Sequence, residues 1–162
     1  MTFEVQITVN DMFDYNIYHN YRNFQGILSL ILGVIMLVLC GAAIIQDGNI
    51  SYILIMGFFG LFFTIITPVR IYFKSMQQVK LTPFFRKPIK YTLTAQELTI
   101  EQDDEKAVIS MENIVKAVET GKSIILYVNS VRAYILPKRE LGENVPKIKE
   151  IIKNSKARKV KF

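Results

Sequence analysis

A chain of 162 residues with 51% hydrophobic residues and a formal charge of +6 has room for one ordinary domain, or for a small domain with a membrane anchor. One cysteine excludes a disulfide framework, and one histidine excludes a multi-histidine metal site. The charge is uneven: residues 1–25 carry −2 and Asp47 −1, whereas residues 70–162 carry +9, from 19 Lys and Arg against 10 Asp and Glu.

In chain order, "TFEVQITV" alternates strictly, with Phe3, Val5, Ile7 and Val9 on one face, which predicts a half-buried strand. In "NDMFDYNIYHNYRNF" the period changes to that of a helix, with Asn10 as its cap and Asp11 and Asp14 suited to its N-terminus. This helix is expected to run into the first of two charge-free stretches, Gly26 to Ile45 and Ile50 to Val69, each of twenty residues. A hydrocarbon core about 30 Å thick needs about 20 helical residues, so both lengths suit a membrane span. Gln46-Asp47-Gly48-Asn49 between them is a tight turn, with Gly48 and Asn49 able to take positive φ.

The turn has no Lys or Arg, whereas Arg22 precedes the first span and Arg70, Lys74, Lys80, Arg86, Lys87 and Lys90 follow the second. The positive-inside rule then places both termini in the cytoplasm and the turn outside. Beyond the second span "RIYFKSMQQVK" continues as helix, and Pro83 and Pro88 break it. From Ile89, six short segments read as strands: "IKYTLT", "ELTIEQ", "EKAVISM", "NIVKAVET", "KSIILYV" and "VRAYILP". Pro146 opens a C-terminal helix with an Ile148, Ile151 and Ile152 stripe among lysines.

The expected fold is therefore an α+β membrane protein. Residues 1–10 form a strand that joins the cytoplasmic domain, and residues 11–80 form a juxtamembrane helix and transmembrane hairpin. Residues 81–88 are a linker, and residues 89–162 a sheet domain. Seven antiparallel strands are too few to bury both faces of an open sheet. A curled sheet or small barrel, plugged by the last helix, would answer that.

No arrangement calls for catalysis, a cofactor or a metal. His19 has no second histidine, and Glu101, Asp103, Asp104 and Glu105 read as a solvated hairpin tip without the glycine of a wrapped calcium loop. Cys40 lies deep in the first span, away from the electropositive setting that activates a thiolate. The basic residues are the candidate contacts with anionic lipid: Arg70, Lys74, Lys80, Arg86 and Lys87 after the hairpin, and Lys147, Lys149, Lys153 and Lys156 in the tail. Positive-inside topology and solubility account for the same residues without a ligand. Nucleic acid is excluded as a partner, because these stretches lack interleaved aromatics or a groove-binding helix. Ser29, Gly33, Gly60 and Thr64, at matching depths, are candidates for close helix–helix packing; Gly26, Gly33 and Cys40 are an alternative homo-oligomer seam.

"YTLTAQELTIEQ" and "ISMENIVKAVETGKSIILYVNSVRAYILPKREL" resemble the C-terminal domain of the YcxB-like family of bacterial membrane proteins. The resemblance rests on Tyr91-Thr92-Leu93-Thr94, Ile114 with Lys116, Glu119-Thr120 and Leu136-Pro137-Lys138-Arg139, and extends in organisation to nearly the whole chain. It implies a pleckstrin-homology-like fold in a bacterial plasma membrane and no catalytic residues. Met111 stands where that family often has an aromatic residue. The expected function is that of a non-enzymatic membrane protein presenting this module at the inner leaflet to bind a protein partner or lipid. The alternative is an accessory subunit of a transporter or of a homo-oligomeric membrane assembly.

Overall fold

The computed structural model describes residues 1–129 and 132–162; Ser130 in the last expected hairpin break and Val131 in the last expected strand lie outside the described residues. The chain divides into two units, residues 1–15 with 75–162, and residues 16–74.

The first unit holds two sheets. In one, β1 (Thr2–Val5), β2 (Ile89–Leu93), β3 (Glu97–Gln102) and β4 (Glu105–Ser110) follow each other antiparallel in sequence order. β1 is brought in from far along the chain, with Phe3 opposite Tyr91 and the two rings stacked at 5.9 Å. The other sheet has the order β7-β6-β5-β8, from β5 (Lys116–Glu119), β6 (Ser123–Tyr127), β7 (Ala133–Pro137) and β8 (Val160–Lys161). After β7 come a short α5 (Lys138–Leu141) and α6 (Val145–Lys153).

Both sheets and α6 share one core. Val5, Ile89, Leu98, Ile124, Leu126 and Leu136 are fully buried in it, and Ile148 and Ile152 of α6 join them. Each such isoleucine contributes about 2 kcal/mol relative to an exposed one. Met111 is also fully buried, so at that position a flexible side chain fills core space.

Four expectations need correction here. The described strands form two four-stranded sheets, where one curled sheet or small barrel of seven antiparallel strands was expected. The chain leaves β4 through a 3-10 turn at Met111–Asn113, capped by Ser110 Oγ accepting from the Glu112 N–H, and β4 and β5 end in different sheets. The eighth strand comes from the tail, which pairs parallel to β5: Ala117 N–H donates to the Lys159 carbonyl (2.8 Å) and Arg158 N–H to that of Ile114 (3.0 Å). The C-terminal helix therefore stops at Lys153. The N-terminal strand ends at Val5, because Val9 already opens α1 (Val9–Arg22). Thr8, not Asn10, is the cap. Its hydroxyl accepts from the Asp11 N–H, and Asp11 Oδ2 accepts from the Thr8 N–H (2.8 Å) and hydroxyl (2.6 Å), a reciprocal capping box.

The second unit is helical. α1 does not continue into the next helix; Asn23, at φ −74° and ψ 144°, breaks it before α2 (Phe24–Ile45). α2 ends at a turn in which Asp47 takes the left-handed conformation (φ 50°), and the Gly48 N–H closes on the Ala43 carbonyl at 2.8 Å. The positive φ of this turn falls on Asp47 and not on Gly48 or Asn49, the residues able to take it; Asn49 has φ −61°, and its Oδ1 accepts the Ser51 N–H to cap α3 (Ile50–Leu61). A widened turn with π geometry, Phe62–Ile66, then leads into α4 (Thr67–Leu81). Pro68 is its cause: proline has no N–H for the carbonyl four residues back, and its ring crowds that carbonyl. The Thr67 N–H bonds the Phe62 carbonyl, five residues back, and opens the turn. Phe24–Ile45 and Ile50–Leu81 are both long and apolar enough to cross a membrane.

Candidate functional site

Within the sheet unit, a cavity of about 550 Å³ lies among β2, β7, the start of α1 and the end of α4. Tyr91 and Tyr134 meet edge to face in its wall, ring centroids 6.4 Å apart. The residues read as a linker supply another wall, with Phe84 and Phe85 in a 3-10 turn, rings edge to face at 5.7 Å. Two glutamines fix this turn. Gln6 Nε2 donates to the Phe85 carbonyl (2.7 Å), and Gln102 Nε2 to that of Phe84 (2.9 Å). Ile7, Met12 and Tyr15 close the side facing α1. Burial pushes the hydroxyl pKa of both Tyr15 and Tyr91 up, so both stay neutral at ordinary pH. Among the described residues that line the cavity, Arg132 is the only charged one.

Nothing in the sequence reading pointed to this cavity, although the adjacent aromatics of "TPFFRKP" were a signal. Their significance depends on Gln6 and Gln102, which the fold brings in from 79 and 18 residues away.

The candidate basic residues divide between the two units, and among the described residues some are paired and others exposed. In the tail, Lys149 pairs with Glu119 (2.6 Å) and Lys156 with Glu112 (2.6 Å), while Lys147 and Lys153 are exposed on α6 without a carboxylate partner among the described residues. Lys87 pairs with Asp103 (2.7 Å), and Arg86 donates to the Lys80 carbonyl at the end of α4. Arg70 and Lys74 are exposed on α4 in the helical unit. The acidic hairpin tip is partly neutralised by lysines. Glu101 pairs with Lys106 (2.9 Å) and Lys90 (3.6 Å), and the Lys106 hydrogen bond, with the charges, holds its carboxyl below the usual range.

Two acidic residues of α1 have structural partners. Asp11, 3% exposed, accepts from Arg139 (2.9 Å) besides capping its helix, and the Asp11 hydrogen bond is the main cause of the raised Arg139 pKa. Asp14 accepts the hydroxyl of Thr120.

Glu119 gives a pH prediction. Hydrogen bonds from Lys149 and then Lys138 hold its carboxyl below the usual glutamate range. A depressed carboxyl contributes stability that is full above its unfolded value, about 4.3, and is lost as pH falls through the folded value. Glu119→Gln should therefore lower the melting temperature at neutral pH, and the gap to the parent should close progressively below about pH 4. A gap that stays constant down the acid limb would show that these lysines do not stabilise the charged form.

In the helical unit, Gly33 and Gly60 lie at the crossing of the two apolar helices. A methyl on Gly33 would stand 2.8 Å from Phe63 Cβ and 3.0 Å from Thr64 Cγ2, and one on Gly60 2.7 Å from the Leu37 side chain. Ser29 and Thr64 bond back to the preceding turn of their own helical segments, to the carbonyls of Gly26 (2.9 Å) and Gly60 (2.7 Å). The alternative seam of Gly26, Gly33 and Cys40 is engaged within the chain: Gly26 faces Asn20, and the Cys40 thiol donates to the Ile53 carbonyl at 3.4 Å.

The architecture is that of an α+β protein, with a two-sheet unit and two helices apolar and long enough to span a membrane. Residues 93–152 match the family described as YcxB-like protein. The match runs from the last residue of β2 into α6, so it shows the expected resemblance for the sheet segment and does not extend to the apolar helices. No curated protein and no solved structure matches the chain.

Proposed function

We propose that the chain is a non-enzymatic integral membrane protein. Its two apolar helices anchor a pleckstrin-homology-like sheet module at the inner leaflet of a bacterial plasma membrane, where the module binds lipid or a protein partner. The observation that carries the reading is the exposure of those helices: 11% and 6% of their most apolar windows are buried. Helices of a soluble core hide such surface, whereas a bilayer covers it. The small-residue crossing at Gly33 and Gly60 favours the same setting, because helices in lipid associate by close approach.

Both termini lie on the cytoplasmic side, where Lys147 and Lys153 are free to meet anionic lipid, each contributing about 1 kcal/mol near the surface. Lys149 and Lys156, already paired with carboxylates, add less than the spacing of the tail suggests.

The test is topology. In a Cys40→Ser background, Asn49→Cys should react with an impermeant maleimide added to whole cells, and Thr2→Cys and Ser155→Cys should react only after permeabilisation. Labelling at Thr2 and Ser155 in intact cells would overturn the orientation, and labelling at all three would overturn the anchor.

A further inference from the structure

We propose that the cavity between Tyr91, Tyr134 and the Phe84–Phe85 turn binds the single acyl chain of an amphiphile whose anionic head pairs with Arg132. The proposal deepens the lipid-binding part of the function above and rests on it.

The chemistry of the lining selects the ligand. A volume of about 550 Å³ falls in the usual range for small-molecule pockets. Its walls are aliphatic and aromatic, with Met12 as the adaptable member, which suits a flexible hydrocarbon chain. A nucleotide or sugar would bury many polar atoms here, and the side-chain donors and acceptors besides Arg132 are Gln78, Thr82 and the tyrosines, too few to satisfy them.

Charge then selects the head. Tyr15 and Tyr91 remain neutral, leaving Arg132 as the only formal charge among the described residues of the lining. The basic side chains at 87, 90, 106, 138, 139, 149 and 156 all have carboxylate partners. Arg132 is exposed and pairs with no carboxylate among the described residues, so its guanidinium remains available to a carboxylate or phosphate in bidentate fashion. Its own backbone N–H is held by Asn129 Oδ1 (2.6 Å), which fixes where the side chain begins. Chain and head are thus read by adjacent parts of one site.

The test uses the full chain in phosphatidylcholine nanodiscs and three photoactivatable probes of equal chain length: a fatty acid, a lysophosphatidic acid and a fatty alcohol. Cross-links are mapped by mass spectrometry, and labelling of Phe24–Ile45 and Ile50–Leu81 reports how much probe has entered the bilayer. The expected result is that one or both anionic probes label peptides containing Phe84, Phe85 and Tyr134 several-fold above that reference, while the alcohol does not. The stronger acid identifies the head as a free carboxylate or a phosphate. Arg132→Gln should reduce cavity labelling by the acids about tenfold, the worth of one charge-assisted contact, and leave the alcohol unchanged. Ala133→Trp, which fills the cavity, should abolish labelling with the thermal transition retained. Equal cavity labelling by alcohol and acids, or labelling confined to the two apolar helices, would overturn the proposal. The maleimide pattern at Asn49, Thr2 and Ser155 does not depend on cavity loading, so loss of the cavity result and loss of the membrane anchor are read separately.

Discussion

Gly26→Ala should destabilise the helical unit by about 3 kcal/mol or more, at the upper end of what an added methyl costs in a packed interior. The methyl would stand 2.0 Å from the Asn20 carbonyl oxygen and 3.2 Å from Tyr21 Cα. Both are backbone atoms, so no rotamer change relieves the overlap, and the joint between α1 and α2 must open. Gly41 in the same helix is the control, because nothing lies within 4 Å of a methyl there. Gly41→Ala should be neutral or stabilise by about 0.5–1 kcal/mol, the ordinary gain of replacing glycine inside a helix. Thermal unfolding of both variants in nanodiscs decides the matter. If Gly26→Ala melts with the parent, the turn at Asn23 is not the tight joint described.

The same glycine shows how far the sequence could be read. Gly26, Gly33 and Gly60 are recognisable as small residues in apolar helices, and their spacing alone is compatible with contacts inside the chain or between copies. Gly26 turns out to serve the bend at Asn23, and that bend has no signal in the helical spacing of apolar residues, which continues through Tyr21, Phe24 and Ile27. Apolar lengths and strand alternation were legible because they are local and repeat along the chain. The π turn was legible in principle, from Pro68 within the second apolar run.

The remaining misreadings are tertiary. "VK" at 160–161 is too short to read as a strand, and it becomes one only because β5 leaves an edge beside it. The tail lysines look equivalent in sequence, but Lys149 meets a glutamate 30 residues away and Lys153 does not. The cavity is the extreme case. Its walls come from three separated stretches of chain, and the residues that hold Phe84 and Phe85 in place are glutamines, which carry no periodic signal of their own.

Val5→Asp should bring the sheet unit close to its unfolding threshold. Val5 is fully buried and sits opposite Ile89, itself fully buried, in the pairing of β1 with β2. An aspartate there would place an unpaired carboxylate in the shared core, at a cost of roughly 4 kcal/mol or more. Domains of this size have only about 5–15 kcal/mol in total, so the loss moves the unit close to its unfolding threshold. Glu4 is the control, one residue away and exposed. It faces Lys90 across the ladder, so Glu4→Lys replaces an opposite-charge pair by a like-charge pair and should cost only about 0.5 kcal/mol. The contrast is a test of register as well as burial, since a one-residue slip of β1 would exchange the two phenotypes. The consequences extend to the cavity, because β1 leads directly through Ile7 to Met12 and Tyr15 on its wall. Limited proteolysis of the full chain, with cleavage mapped in residues 88–162, reads the outcome. Val5→Asp should expose new sites there at temperatures where Glu4→Lys and the parent resist. Equal resistance of all three would mean that β1 is dispensable to the sheet, and that the N-terminal wall of the cavity is held by α1 alone.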